Sequence, residues 1–217
     1  MQIRDLYIIG AGGFGREIAW LAERINAVNP TWDIKGFIDD NETVQGMQLG
    51  KYNVIGNCST LGEIDKEVWV VCAIGASYVR KKVIEKVSRY ENVKFATLID
   101  PSVIMSSDVK IGEGTMVCAG NILTVDITIG NHVIINLDCT VGHDAVLKDY
   151  VTLYPSVNVS GCSSLESEVE VGTGAQIIQG KKILQGTIVG AGAVVTKDLP
   201  ANCTAVGAPA KPIKFRE

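Results

Sequence analysis

The residues best suited to catalysis in this sequence are a histidine followed directly by an aspartate, His143-Asp144. An imidazole exchanges protons near neutral pH, and a neighbouring carboxylate fixes its tautomer and strengthens it as a base. Such a pair suits acyl transfer from a thioester, in which a base removes a proton from the attacking amine or hydroxyl. The other histidine, His132, has no adjacent acid, and we interpret it as structural or interfacial. Two histidines cannot supply a zinc centre that needs three, so no metal cofactor is expected.

A second candidate site is indicated by residues 10–15, with the sequence Gly-Ala-Gly-Gly-Phe-Gly. This segment follows an apolar run typical of a buried strand and precedes helical spacing, so backbone N–H groups at a helix N-terminus can face a diphosphate. Asp39 and Asp40 follow the next predicted strand, and Gly75 follows a third. Because the carboxyl ends of parallel strands meet at one edge of a sheet, we expect these residues to line one ligand site.

Two classes of ligand fit this predicted site. A nicotinamide dinucleotide suits the glycines, but nothing downstream resembles a hydride-transfer domain. A sugar nucleotide needs the same diphosphate contacts, and a carboxylate can accept hydrogen bonds from its uracil or ribose. We therefore favour the sugar nucleotide. The alternative without a ligand is that the glycines serve only close packing and that Asp39-Asp40 is a solvated turn.

The elements that position His143 follow from a repeat of six residues. A small or β-branched residue usually stands four positions after each repeated aliphatic, and Gly or a polar residue often follows it directly, as at Gly112 and Gly142. We predict that these directly following residues form the turns. The period predicts a parallel β-helix with coils about 4.8 Å apart. The alternative to a catalytic role for this β-helix is that it is only a rigid spacer or a trimerisation stalk. The repeated aliphatic residues are Ile99, Met105, Ile111, Val117, Leu123, Ile129, Ile135, Val141, Leu147, Leu153, Val159, Leu165, Val171, Ile177, Ile183, Val189 and Val195.

Length and composition predict two domains and narrow the choice of partners. The repeat occupies residues 97–217, which leaves residues 1–96 for a compact α/β unit. A net charge of −4 without a basic run argues against nucleic acid or an anionic membrane as a partner. With no cleavable signal and no apolar run long enough to span a bilayer, we expect a soluble, cytoplasmic protein. The six scattered cysteines are expected to be reduced, several of them in the interior.

These features together resemble the two-domain hexapeptide-repeat sugar acetyltransferases, which include sialic acid O-acetyltransferases and N-acetyltransferases of UDP-linked 4-amino sugars. The resemblance covers both domains and implies a Rossmann-like α/β domain followed by a left-handed parallel β-helix with three hexapeptides per coil. It also implies acetyl-CoA as co-substrate, a homotrimer with active sites between subunits, His143 as general base and Asp144 as its supporting carboxylate. The implied substrate contacts are Gly12, Gly13, Phe14, Asp39, Asp40 and Gly75, and the implied coenzyme A contacts are Thr152, Gly161, Thr173 and Ala191.

On this resemblance, residues 18 positions apart lie above one another, which puts Gly161 beside His143, roughly 5 Å along the axis. The chain departs from the family pattern at Leu137, where many relatives carry a further histidine. It also departs at Thr152, where some carry a histidine that contacts the acetyl group, so that here a hydroxyl or a backbone N–H must polarise the thioester. The predicted function is direct transfer from acetyl-CoA to a UDP-linked 4-amino sugar. The alternatives are O-acetylation of a sialic acid or another surface sugar, and a sugar-nucleotide-binding scaffold without turnover.

Overall fold

The computed structural model describes residues 3–216, which form two compact units. One unit extends to Gly75 and includes Val79–Pro101; the other contains Ala76–Tyr78 and the chain from Ser102 onward. The division between the units therefore lies a few residues after the predicted boundary at residue 96. Within the described residues, no helix combines the length and the apolar character needed to cross a membrane.

The first unit is an α/β fold built on one six-stranded sheet. Its elements are β1 (Arg4–Ile9), α1 (Gly13–Val28), β2 (Trp32–Ile38), β3 (Gln48–Leu49), β4 (Tyr52–Gly56), β5 (Val68–Cys72), α2 (Ser77–Val87), β6 (Val93–Phe95) and β7 (Leu98–Ile99), with 3₁₀ helices at Glu42–Val44 and Cys58–Glu63. The sheet has the order β3-β4-β2-β1-β5-β6, and its neighbouring strands are parallel except for β3 and β4. Strand β1 lies between β2 and β5, so the ends of these three strands meet at one edge, as predicted.

The apolar runs of the sequence explain this sheet. Leu6 and Ile8 of β1 are fully buried, and α1 buries Ile18 and Leu21 at helical spacing. Each fully buried aliphatic side chain contributes about 1.5–3 kcal/mol, so the apolar stripe of α1 fixes the helix that follows the glycine segment.

An ion pair ties the end of the first unit to α1. Nε and Nη2 of Arg24 donate to the two carboxylate oxygens of Asp100 at 2.5 and 2.9 Å, and the Asp100 side chain is 1% exposed. A buried carboxylate needs such a partner, and the pairing explains why the first unit continues to Pro101.

The second unit consists of short strands that recur every six residues. The strands are β8 (Ile104–Met105), β9 (Lys110–Ile111), β10 (Met116–Val117), β11 (Ile122–Leu123), β12 (Thr128–Ile129), β13 (Ile134–Ile135), β14 (Thr140–Val141), β15 (Val146–Leu147), β16 (Thr152–Leu153), β17 (Asn158–Val159), β18 (Ser164–Leu165), β19 (Glu170–Val171), β20 (Gln176–Ile177), β21 (Lys182–Ile183), β22 (Ile188–Val189), β23 (Val194–Val195), β24 (Cys203–Val206) and β25 (Lys211–Phe215). Successive strands enter three sheets in turn, with the orders β10-β13-β16-β19-β22-β24-β25, β8-β11-β14-β17-β20-β23 and β9-β12-β15-β18-β21. Each coil therefore has three faces and three corners.

The strand register confirms that residues 18 positions apart lie above one another. Thr140 pairs with Asn158 and Val141 with Val159, both in parallel. The repeated aliphatic residues from position 117 to position 195 are at most 3% exposed, so they form the interior of the prism. The earlier member Met105 is 42% exposed, since the first coils have a neighbouring coil on one side only.

The prediction that the residue directly after each aliphatic forms the turn is wrong. Left-handed φ values occur instead at the third position after the aliphatic, for example at Asp144 (φ 59°) and Cys162 (φ 58°). A Cβ on Gly142 would lie 2.5 Å from the backbone N of Gly161 in the next coil. The glycine after the aliphatic is therefore needed for the close approach of two coils rather than for its φ.

Candidate active site

His143 and Asp144 lie at the corner of the prism that follows β14. This corner, called the His143 corner below, contains residues 142–144 and, one coil further, residues 160–162. Nδ1 of His143 lies 2.8 Å from Oδ2 of Asp144, and the two side chains are 53% and 59% exposed. Because a carboxylate only accepts hydrogen bonds, the neutral ring carries its proton on Nδ1, and the basic lone pair lies on Nε2.

Gly161 lies against the ring of His143. A Cβ on Gly161 would be 2.6 Å from Nε2 and 2.7 Å from Cε1 of that ring. The N–H of Cys162 donates to the carbonyl oxygen of His143 at 2.8 Å, which fixes the register of the two coils. The predicted placement of Gly161 beside His143 is confirmed, and the basic edge of the ring lies over a residue without a side chain.

The predicted diphosphate site lies at the N-terminus of α1. Gly12 precedes the helix with an extended backbone, and a Cβ placed on it would meet no atom within 4 Å. On Gly13 the nearest atom would be Nη2 of Arg16, at 3.9 Å. By contrast, a Cβ on Gly15 would overlap the carbonyl oxygen of Gly10. Packing therefore requires glycine at position 15, whereas positions 12 and 13 leave backbone accessible to a ligand beside the half-buried Phe14.

The carboxylate of Asp39 holds the glycine segment in place. Its Oδ2 accepts the N–H of Ala11 at 2.8 Å, and its Oδ1 accepts the N–H of Asn41 at 2.9 Å. Asp39 thereby links the loop after β1 to the loop after β2, at the edge where the sequence predicted a ligand.

Asp40 is held by an ammonium group and a backbone N–H. Its Oδ1 accepts the N–H of Cys58 at 2.8 Å, and its Oδ2 pairs with Nζ of Lys86 at 2.7 Å. Burial raises the pKa of Asp40, but Lys86 and the Cys58 N–H outweigh it and hold that pKa below its ordinary value. Burial and the nearby Asp40 carboxylate raise the pKa of the Cys58 thiol to about 12, so Cys58 is neutral at pH 7.

A cavity of about 450 Å³ opens between these groups. Gly10, Gly12, Asp39, Asp40 and Cys58 line one part of it, and apolar side chains line much of the rest. A volume of this size lies in the range of small-molecule sites, which combine apolar walls with a few placed polar groups.

Gly75 is positioned by an arginine that the sequence analysis missed. The Arg80 side chain is fully buried, and its Nη1 donates to the carbonyl oxygens of Ile74 and Gly75 at 2.6 and 2.9 Å. Arg80 shares one helical face with the buried residues Ile84 and Val87. That spacing was the signal in the sequence, since a charged side chain on an apolar face must find partners.

The hydroxyl of Thr152, one of the two groups predicted to polarise the thioester, is buried in the structure. Thr152 lies in β16, and its side chain is fully buried, with 0% exposure. A hydroxyl without exposed surface is not available to a thioester, so the hydroxyl of Thr152 does not polarise its carbonyl.

Thr173 and Ala191 lie at a different corner from His143. Both are exposed, and they follow β19 and β22 in the sheet that contains β16. The N–H of Gly192 donates to the carbonyl oxygen of Thr173 at 2.8 Å, which confirms that they lie in successive coils. One chain therefore brings Gly161 to His143 but does not bring Thr173 or Ala191 there.

His132 has the structural position that the sequence indicated. It is 5% exposed, and its ring stacks on that of Tyr150 with centroids 5.4 Å apart and an angle of 16° between the planes. A Cβ on Gly114, one coil earlier, would collide with the same ring. His132 is thus part of the packing of a corner.

The comparisons with known proteins cover both units. A family described as the PglD N-terminal domain matches residues 5–87. The chain is 31% identical over 219 residues to the GDP-perosamine N-acetyltransferase of Escherichia coli O157:H7, and the match covers 97% of each chain.

Two solved structures have the same fold over the whole chain. The acetyltransferase domain of PglB from Neisseria gonorrhoeae FA1090, in complex with acetyl coenzyme A, is 30% identical, with a TM-score of 0.86 over 98% of this chain and 100% of that one. A histidine-to-asparagine variant of perosamine N-acetyltransferase from Caulobacter crescentus, in complex with CoA and GDP-perosamine, is also 30% identical, with a TM-score of 0.86 over 98% of each chain.

A Rossmann-like unit followed by a left-handed β-helix with a histidine at one corner defines a class of acyltransferases. The chain belongs to the two-domain hexapeptide-repeat sugar acetyltransferases, and it is an acetyltransferase. The predicted family and the predicted fold class are confirmed.

Proposed function

We propose that the protein transfers the acetyl group of acetyl-CoA directly to the amino group of a nucleotide-linked amino sugar, with His143 as general base. The relatives support the reaction class, since one is a GDP-perosamine N-acetyltransferase and another is solved with acetyl coenzyme A. The observation that carries the role of His143 is its contact with Asp144 while Nε2 lies over Gly161.

In the proposed reaction, the nitrogen of the sugar attacks the thioester carbonyl carbon while Nε2 of His143 takes a proton from that nitrogen. The carbon–sulfur bond then breaks, and coenzyme A leaves as a thiolate that takes the proton from the His143 imidazolium, which restores the neutral base. Asp144 holds the Nδ1 proton throughout, so that the imidazolium formed in the step is stabilised by a carboxylate at 2.8 Å. The oxyanion is stabilised by a backbone N–H, because the Thr152 hydroxyl is buried.

The assembly that we propose is a homotrimer. The His143 corner and the corner of Thr173 and Ala191 are two different edges of one prism, and a coenzyme A site that uses both needs a second copy of the chain. A closed threefold ring of parallel prisms places one corner of each copy against a different corner of the next. His143 of one subunit would then meet the Thr173 and Ala191 contacts of its neighbour.

The finer proposal for the nucleotide is UDP. The carboxylates of Asp39 and Asp40 accept hydrogen bonds from the protein, and a carboxylate has about four lone-pair sites, so both retain capacity for a uracil N–H or a ribose hydroxyl. GDP is the rival nucleotide, since a relative acts on GDP-perosamine.

A panel of acceptors tests the proposed function. The protein is incubated with acetyl-CoA and with UDP-linked 4-amino sugars, the GDP-linked equivalents, the free amino sugars and free sialic acid, and coenzyme A release and acetylated product are measured. We expect turnover with a UDP-linked 4-amino sugar. Turnover confined to GDP-linked sugars overturns only the choice of UDP as the nucleotide. Turnover confined to free sialic acid overturns N-acetylation. Binding of a sugar nucleotide without coenzyme A release supports a scaffold without turnover.

Two glycines of one turn provide a matched pair of variants for the diphosphate contact. Gly12→Ala adds a methyl group where the protein leaves open space, so the fold is kept and the KM for the sugar nucleotide is expected to rise roughly tenfold. Gly15→Ala places its methyl group on the carbonyl oxygen of Gly10 and is expected to lower stability by about 1–3 kcal/mol. Initial rates and thermal unfolding measure both effects. An unchanged KM in Gly12→Ala contradicts the diphosphate contact.

A further inference from the structure

Cys162 is an exposed thiol at the His143 corner. All six cysteines of the chain lie within the described residues, and the other five are buried. Cys162 has a left-handed φ of 58°, and its position 18 residues after Asp144 puts it directly above that residue in the next coil. Neither the fold nor the proposed acetyl transfer uses this thiol.

The thiol completes a cluster of three different ligand groups. One ring nitrogen of His143, one carboxylate oxygen of Asp144 and Sγ of Cys162 all lie within 4.8 Å of one another, and all three residues are exposed. Gly161, between Cys162 and the ring of His143, has no side chain to fill the space. The coil register therefore brings the thiol of Cys162 to a histidine and a carboxylate that precede it by 19 and 18 residues in the chain.

This set of donors matches a thiophilic divalent cation. Zinc takes nitrogen, oxygen and sulfur ligands at about 2.0–2.3 Å in a tetrahedron, which sets ligand atoms roughly 3.3–3.8 Å apart. Exposed side chains need rotations that move their ends by only about 1 Å to reach this geometry from a spread of 4.8 Å. Magnesium prefers oxygen ligands in an octahedron, so this cluster discriminates against it.

We propose that His143, Asp144 and Cys162 form an inhibitory site for zinc or a similar thiophilic cation, with a water molecule as the remaining ligand. The ion would occupy a nitrogen of the imidazole and neutralise its carboxylate, so it would block the proton transfer of the acetylation step. The inhibitory effect rests on the proposed role of His143, whereas binding of the ion does not. The site is distinct from a resident catalytic metal, which the proposed transfer does not need.

Direct binding tests the site without reference to activity. Metal-stripped protein in a buffer free of chelators, kept reduced by a phosphine rather than a thiol, is titrated with Co²⁺ and, in competition with a chromophoric chelator, with Zn²⁺. We expect one ion per chain and a near-ultraviolet charge-transfer band that requires a thiolate bound to cobalt. Absence of the band, or a band without saturation at one ion per chain, overturns the site.

Two substitutions of Cys162 test the assignment of the sulfur ligand. Cys162→Ser removes the soft ligand with little change in size, and Cys162→Asn does so with a residue that tolerates a left-handed φ. Both are expected to abolish the cobalt band and to weaken zinc binding roughly tenfold or more. Glu113→Gln, at an exposed carboxylate of another corner, is the matched control and should bind as the wild type does. A band that persists in both Cys162 variants overturns the assignment.

The inhibition assay separates failure of this site from failure of the proposed function. Zinc is titrated against acetyl transfer, and the rate of each variant is normalised to its own zinc-free rate. We expect the zinc concentration for half inhibition to rise roughly tenfold or more in Cys162→Ser and not in Glu113→Gln. An active enzyme that binds no cobalt overturns the site alone, whereas a protein that shows the band but has no transferase activity overturns only the proposed function.

Discussion

His143→Ala is expected to lower kcat for acetyl transfer by roughly 10²- to 10⁴-fold, the range contributed by a positioned general base. The amine nitrogen must lose a proton as it attacks the thioester, and Nε2 of His143 is the basic atom over the open surface of Gly161. The side chain is 53% exposed at a corner, so its removal leaves the interior of the prism unchanged. Coenzyme A release at saturating concentrations of both substrates measures the effect.

The matched control for this variant lies at the third corner of the prism. Gln185 is exposed and occupies the hexapeptide position that corresponds to His143, and Gln185→Ala is expected to change kcat less than about twofold. Light scattering and circular dichroism should give the same assembly mass and the same spectrum for the wild type and both variants. Wild-type kcat in His143→Ala would show that another group accepts the proton and would remove the assignment.

The fold could be predicted from the repeat because stacked coils require an apolar residue at every sixth position. An inward position in a stacked coil tolerates only apolar residues, and Val141, Leu147 and Leu153 are all fully buried. The turns could not be predicted in the same way, because two different constraints select glycine. Gly142 is small because Gly161 of the next coil lies 2.5 Å from its would-be Cβ, whereas Asp144 adopts a left-handed φ without being glycine.

The sequence predicts the neighbours within the site that depend on strand register. It does not predict which outward-facing residues of the β-helix are buried. Counting in steps of 18 placed Gly161 beside His143, since strand pairing keeps that step constant. Thr152 was placed by resemblance, but the repeat does not encode which outward positions are covered, and its side chain is fully buried.

The roles of two residues, Arg80 and Cys162, were not predicted from the sequence. Arg80 was missed because an arginine on a helix is solvated by default, whereas this one is buried with two carbonyl partners. Cys162 was missed because the six cysteines are scattered along the chain, and no second cysteine stands near Cys162 at the spacing of a metal site. Its potential partners His143 and Asp144 come into range only through the stacking of coils.

Gly161→Ala is expected to lower kcat/KM for acetyl transfer by roughly 10²-fold, the cost of a displacement of about 1 Å in catalytic geometry. The backbone accepts alanine, since Gly161 is not among the glycines with a left-handed φ. The added Cβ would lie 2.6, 2.7 and 2.9 Å from Nε2, Cε1 and Cδ2 of His143, so the exposed ring must move away. The protein should therefore fold with an intact prism but with its base displaced. Coenzyme A release over a range of acetyl-CoA concentrations measures the effect.

A double-mutant cycle separates displacement of the base from obstruction of the thioester. If the methyl group acts by displacing the His143 ring, the double variant Gly161→Ala/His143→Ala has nearly the same kcat/KM as His143→Ala alone. The group that the methyl would displace is already absent in that background. If the methyl group blocks coenzyme A instead, the two losses multiply, and the KM for acetyl-CoA rises in both backgrounds. Near-wild-type kcat/KM in the single variant Gly161→Ala would mean that the ring can leave its position over Gly161 without loss. In that case the contact between His143 and Gly161 would not define the catalytic geometry.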